Sequence, residues 1–166
     1  MSILNRFSLL KRNALVTGAG QGIGRSLAFA LAEAGANVAV VDRNGDTAKQ
    51  TAQEISALGV ESIAIETDVT QTDQVNHMVD QVTSKWGTLD IAVNNAGIAI
   101  RSPAENIPDE EWDAVLNVNL KAVYLCSRAE GQTMLNQKSG SIINLVSMSG
   151  QIANRPQLHA HYNASK

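Results

Sequence analysis

Tyr162 and Lys166 stand four residues apart in Tyr162-Asn163-Ala164-Ser165-Lys166. On a helix that spacing brings both side chains to one face. A phenol titrates at about pH 10 and is a poor base at neutral pH. An ammonium close by favours the phenolate and draws the phenol toward working pH. A tyrosine tuned in this way can exchange a proton with an alcohol while a hydride leaves the carbon. Two helix neighbours without a chemical role would show the same spacing, so the pair needs support from elsewhere in the chain.

Thr17-Gly18-Ala19-Gly20-Gln21-Gly22-Ile23-Gly24 provides that support. It follows an apolar run and opens an apolar-periodic segment. Gly18 allows a sharp turn, Gly22 lets backbone approach a pyrophosphate, and Gly24 lets the helix pack close to the sheet. Free N–H groups and a partial positive charge at the helix start suit phosphates. Gly18, Gln21, Gly22, Ile23 and Gly24 are therefore the expected cradle. A glycine-rich turn that binds nothing is the alternative, and the strand-before, helix-after context favours the cradle. Asp42 ends the next apolar run, eighteen residues after Gly24. A carboxylate there can accept hydrogen bonds from adenosine ribose hydroxyls and repel a 2′-phosphate, which favours NAD over NADP. Arg43 is the contrary sign, and a solvated turn acid in Asp42-Arg43-Asn44-Gly45 is the other reading.

The elements that must position these groups alternate. Ala14 to Val16, Val38 to Val41, Ile63 to Ile65, Leu89 to Val93 and Ser141 to Val146 read as strands. Between them, Ile23, Leu27, Ala30, Leu31 and Ala34 mark a helix ended by Gly35, and Ala48, Ala52 and Ile55 a second, stopped near Gly59. Val75, Met78, Val79 and Val82 stripe a third, with Thr70 the expected N-cap and Asp73 three residues on. Pro108 and Asp109, Glu110 and Glu111 suit the first turn of a long helix. From about Trp112 to Met134 that helix is apolar over much of its circumference, at Val115, Leu116, Val118, Leu120, Val123 and Leu125. A last helix begins near His159. The order predicts one α/β domain over 1–166, a Rossmann-like doubly wound parallel sheet with helices on both faces.

The 166 residues are 44% apolar and 17% charged, with a net charge of -3, as in a soluble globular domain. No basic patch points to nucleic acid, and no apolar run is long enough to cross a bilayer. Met1 to Arg12 lacks the features of a signal peptide. The single cysteine, Cys126, fits a reducing cytosol and reads as a packed thiol. A cytoplasmic location is expected.

Together the motifs resemble the short-chain dehydrogenases/reductases over essentially the whole chain. Thr17-Gly18-x-x-x-Gly22-x-Gly24 is similar to that family's glycine motif, Asp68-Val69 to its adenine-contacting pair, and Asn94-Asn95-Ala96-Gly97 to its NNAG motif. Asn119, Ser147, Tyr162 and Lys166 match its catalytic tetrad. The resemblance implies a cofactor site that also includes Asp68, Val69, Asn95, Gly97, Tyr162 and Lys166. It implies that Tyr162 is the general acid/base and that Lys166 lowers its pKa while holding the nicotinamide ribose. Ser147 would orient the substrate oxygen, and Asn119 would hold a water that relays protons. The cofactor carries the hydride, and the protein supplies position and a tuned proton.

The chain departs from the pattern in spacing and length. Ser147 lies fifteen residues before Tyr162, more than is common in the family, and Ser149, at thirteen, is the rival. Ser147 is preferred because it follows the apolar run and precedes Gly150 by three. The family continues beyond the Tyr/Lys helix with further strands and a lid. By that measure the chain reads as a cofactor half, truncated after Tyr-x-x-x-Lys and not expected to turn over alone. The segment from Ser147 through Asn154 to Gln157, with His159 and His161, is rich in groups that could recognise hydroxyls. It resembles sugar-alcohol dehydrogenases, which makes an NAD-dependent polyol or sugar dehydrogenase the main expectation. A 3-oxoacyl thioester or steroid reductase, or a non-catalytic nucleotide-binding module, are the alternatives. A metal is not expected, because no acidic or thiol partners surround the histidines in sequence; His77 reads as a surface helix residue. The apolar long helix and the family's pairing habit imply a homodimer or homotetramer.

Overall fold

A computed structural model describes residues 3–153, 155, 156 and 158–166, with backbone alone at Leu4. Asn154 and Gln157, counted above among the groups bordering the site, lie outside the described residues. The strands are β1 (Asn13–Thr17), β2 (Asn37–Asp42), β3 (Ser62–Glu66), β4 (Ile91–Asn94) and β5 (Ser141–Asn144). The helices are α1 (Gly22–Glu33), α2 (Gly45–Ser56), α3 (Thr72–Trp86), α4 (Asp109–Leu116), α5 (Ala122–Gln137) and α6 (Ala160–Ser165).

All strand pairs are parallel, in the order β3-β2-β1-β4-β5. Alternate residues of a strand face opposite ways, so a strand covered on both sides must be apolar throughout. Ala14, Val16, Val38 and Val40 meet Ala28, Ala32, Ala52 and Ile55 of α1 and α2. Leu15, Ala39 and Val41 meet Val75, Met78, Val82 and Leu125 of α3 and α5 on the other face. A fully buried valine or leucine contributes about 1.5–3 kcal/mol relative to exposure. The wholly buried run Val38–Val41 fits β2 inside the sheet, between β3 and β1, whereas β5, with Ser141, Ile143 and Asn144 exposed, lies at an edge. The winding reverses between β1 and β4, which opens a crevice beyond their carboxyl ends. This is the doubly wound α/β fold expected, with helices on both faces.

Several boundaries differ from expectation. Thr70 does not cap α3: the N-cap is Gln71, with no side-chain cap bond. The Asp68 carboxylate instead takes the Thr70 N–H at 3.0 Å and hydroxyl at 2.7 Å, holding a turn that delays the helix. β4 begins at Ile91, because the Gln137 amide pairs with both the N–H and the C=O of Leu89 at 2.9 Å and takes the place of a strand neighbour. β5 ends at Asn144, although the Leu145 N–H still reaches the Asn94 carbonyl at 2.9 Å. The long helix is interrupted by a π-turn at Asn117–Lys121, where the Ala122 N–H reaches back to the Asn117 carbonyl. Such a turn carries an extra residue and is frequent at functional sites. Pro108 stands just before α4, whose first turn holds Asp109, Glu110 and Glu111. Among the described residues no helix is long and apolar enough to cross a membrane.

Candidate active site

The crevice at the winding reversal is a cleft of about 350 Å³. Gly18, Gln21, Ile23, Gly24, Asp42, Asp68, Val69, Asn95 and Gly97 all line it; Gly22 is the one expected loop residue that does not. Gly18 and Gly22 have φ of +63° and +58°, a region that disfavours side chains. A β-carbon at Gly22 would meet nothing within 4 Å, leaving room over the start of α1. A β-carbon at Gly24 would strike the Gly18 carbonyl and the Asn95 amide. The close approach that Gly24 permits is thus to the loop itself, rather than to a strand.

Asp42 is set by two backbone donors. Its Oδ2 accepts the Gly20 N–H and its Oδ1 the Asn44 N–H, each at 2.9 Å. Each oxygen keeps acceptor capacity for a further donor. Gly20 was not singled out in sequence, yet a β-carbon there would meet Thr47 Oγ1 and stand 2.9 Å from Asp42 Oδ2. Arg43 also lines the cleft. Thr17, which opens the glycine motif but was given no role of its own, ties β1 to the loop after β4: its hydroxyl oxygen accepts the N–H groups of Asn95 and Ala96 at 3.0 and 3.1 Å. The Asn95 side chain returns the connection, donating to the carbonyls of Thr17 and Gly18 at 2.9 and 3.2 Å. The signal for Thr17 was its place at the last strand position before the glycines.

Gly97 joins the two halves of the site. A β-carbon there would lie 3.2 Å from Asn119 Oδ1 and 3.7 Å from Lys166 Nζ. Asn119, buried in the π-turn, accepts the Ile98 N–H at 2.8 Å and donates to the Ile98 carbonyl at 2.9 Å and to Ser165 Oγ at 3.0 Å. Lys166 Nζ donates to the Leu145 carbonyl at 3.0 Å and lies 5.9 Å from the centroid of the Tyr162 ring. Burial holds the Lys166 ammonium below the usual lysine range. The turn after β5 brings in the serines. Ser147 Oγ accepts the Ser149 N–H at 3.1 Å, and Gly150 packs so closely on the Lys166 backbone that a β-carbon would clash. Ser147 is half-buried, while Ser149 is 7% exposed. His159 stacks edge-on against Tyr162, with centroids 5.3 Å apart.

His161 is fully buried, with Nε2 3.1 Å from Glu111 Oε1 of α4. This corrects the expectation that no acidic partner stands near the histidines: α4 and α6 are distant in sequence and packed in space. Among the described residues no group of three or more His, Cys, Asp or Glu is placed to hold a metal ion. His77 is exposed on α3. Cys126 is a buried thiol whose pKa is pushed up to about 12, first by burial and then by the nearby Glu130.

The arrangement fits a dinucleotide: a glycine-walled cleft, a carboxylate at one end, and a tyrosine–lysine pair beyond Gly97 at the other. The short chain dehydrogenase family model matches residues 12–166. A 3-oxoacyl-(acyl-carrier-protein) reductase from Staphylococcus epidermidis is 45% identical over 158 residues, covering 95% of this chain and 64% of that protein. A galactitol 2-dehydrogenase from Rhizobium johnstonii is 40% identical over 167 residues, covering 100% of this chain and 65% of that one. The chain thus spans just under two thirds of the length of these relatives. A solved short-chain type dehydrogenase/reductase from Mycobacterium marinum superposes with a TM-score of 0.97 at 44% identity, over 100% of this chain and 68% of that one. Two further similar structures hold different cofactors. A Burkholderia cenocepacia gluconate 5-dehydrogenase carries NADP and tartrate (TM-score 0.92, 37% identity, covering 99% and 64% of the two chains). A 7α-hydroxysteroid dehydrogenase carries NADH and 7-oxo glycochenodeoxycholic acid (TM-score 0.92, 31% identity, 99% and 64%). On its fold and on this match, the chain belongs to the short-chain dehydrogenase family.

Proposed function

We propose that the full-length protein is an oxidoreductase that interconverts a secondary alcohol and a ketone with NAD, its substrate a polyol or sugar. The observation that carries this reading is the convergence of Gly97, Asn119, Tyr162 and Lys166 at the end of the cleft. The nicotinamide supplies the acceptor for the hydride that leaves the carbinol carbon. Gly18 to Gly24 would hold the pyrophosphate, and Asp42 the adenosine ribose. Ser147 already accepts one hydrogen bond, so its own O–H remains to donate to a substrate oxygen. Tyr162 takes the alcohol proton, with Lys166 beside it. The Asn119 side-chain amide is committed to Ile98 and Ser165, so its direct task is to brace the helix that carries Tyr162 and Lys166. A cytoplasmic oligomer with no nucleic-acid or membrane partner completes the reading.

The polyol assignment rests on the polar segment after Ser147 and on the 40% identity to galactitol 2-dehydrogenase. A second reading, reduction of a 3-oxoacyl thioester, is favoured by the 45% identity to the staphylococcal reductase and by exposed Met148, Ile152 and Leu158 on that same segment. Assay of the full-length protein at 340 nm with NAD or NADP and a panel of polyols, and with NADH or NADPH and a 3-oxoacyl thioester, separates them. Turnover of polyols with NAD is expected. Thioester reduction alone would transfer the assignment to the second reading, and cofactor binding with no turnover would indicate a regulatory module.

A further inference from the structure

Glu130 has no part in the chemistry above, yet it is fully buried on α5. Its Oε2 accepts from Asn94 Nδ2 at 2.9 Å. The same Nδ2 donates to Asn144 Oδ1 at 3.0 Å, and Ser127, one turn before Glu130, reaches Asn144 Oδ1 at 3.2 Å. Asn94 and Asn144 are register partners at the carboxyl ends of β4 and β5. The residues that follow them belong to the site. Asn95 ties the cofactor loop to Thr17 and Gly18, and Leu145, bonded through its N–H to the Asn94 carbonyl, offers its own carbonyl to Lys166 Nζ. A buried carboxyl is costly unless hydrogen-bonded, and an apolar residue would fill this position at less cost.

We propose that Glu130 is a positioning residue: by anchoring the Asn94 amide between β4 and β5, it sets the height of Asn95 against the cofactor cleft and of the Leu145 carbonyl that holds Lys166. The inference rests on the dehydrogenase reading of the site. The geometry is specific, because one amide group bridges a helix and two strand ends, and each strand end is a single residue from a site group. Burial pushes the Glu130 carboxyl up to about 7, so the neutral form is accessible at neutral pH and glutamine is a fair mimic of it.

The test uses full-length protein with Glu130→Met and Glu130→Gln, measuring kcat, KM for the alcohol, NADH affinity by fluorescence and the thermal midpoint. Glu130→Met, once folded, is expected to lower kcat about 10–100-fold and weaken NADH several-fold, with KM for the alcohol little changed. Glu130→Gln should restore most of both. A folded Glu130→Met with kcat and NADH affinity within about twofold of wild type would overturn the proposal, since a merely structural role moves only the midpoint. If Glu130→Met does not fold, Asn144→Ala decides: it leaves the Glu130–Asn94 bond and cuts the bridge to β5, so lowered kcat is expected and unchanged kcat overturns the proposal. A wild type that binds NADH but turns over nothing would sink the dehydrogenase reading instead, and NADH affinity in Glu130→Met would then judge this inference alone.

Discussion

Backbone donors aim the side chains of Asp42 and Ser147, the two residues proposed to hold the ribose and the substrate oxygen. Gly20 and Asn44 fix the Asp42 carboxylate at the edge of the cleft, where it can receive ribose hydroxyls and repel a 2′-phosphate. Removing it in Asp42→Ala should reduce the NAD-to-NADP ratio of kcat/KM by about tenfold or more, because one lost charge-assisted bond and one lost repulsion act in the same direction. An unaltered ratio would point to Arg43 as the determinant. Ser147 is half-buried and its Oγ accepts the Ser149 N–H, whereas Ser149 is buried. Ser147→Ala is expected to lower kcat by about 10²–10³-fold and Ser149→Ala by less than about tenfold. Steady-state kinetics of the two variants settle the order, and the reverse order would exchange their roles.

At the scale of elements, the buried Glu130 on α5, bonded to Asn94 on β4 and through it to Asn144 on β5, is expected to make stability depend on pH. Burial raises the Glu130 carboxyl from its ordinary 4.5 to about 7, partly opposed by the Asn94 bond. Between those values the folded chain holds a proton that the unfolded chain has released, so stability is full below 4.5, falls as pH rises toward 7, and is level above. The loss from this group is at most on the order of 3 kcal/mol. Urea midpoints at pH 5 and pH 8 should differ in the wild type and converge in Glu130→Gln; equal slopes in both would remove Glu130 as the source. This cluster was not legible in sequence, since Glu130 reads as a surface helix acid until sheet order brings in Asn94, 36 residues away. The π-turn at Asn117–Lys121 was equally hidden, because a shifted hydrogen-bond register leaves no compositional mark. By contrast β2, the α3 stripe and the glycine loop were legible, because burial on both faces, helical periodicity and positive φ each select residue types directly. The Glu111–His161 contact depended on the packing of α4 against α6, which local patterning does not carry.

For the whole molecule, α4, the π-turn and α5 carry an apolar row among exposed polar residues: Trp112, Leu120 and Tyr124 are exposed, and Leu116 and Val123 half-buried. Contiguous apolar surface on a soluble protein marks an interface, and a closed homodimer or homotetramer is expected for the full-length protein. Light scattering at micromolar concentration should report it, and a fully active monomer would leave the stripe as ordinary surface. The central claim is that the Tyr162–Lys166 pair beyond Gly97 performs proton transfer coupled to hydride loss. Its most direct measurement is the 340 nm rate of full-length wild type and Tyr162→Phe with NAD and a polyol, alongside NADH binding to both. Because the phenylalanine keeps the ring and removes only the proton carrier, NADH affinity should stay within about threefold while kcat falls by about 10³-fold or more. A Tyr162→Phe protein that turns over at the wild-type rate would contradict the account.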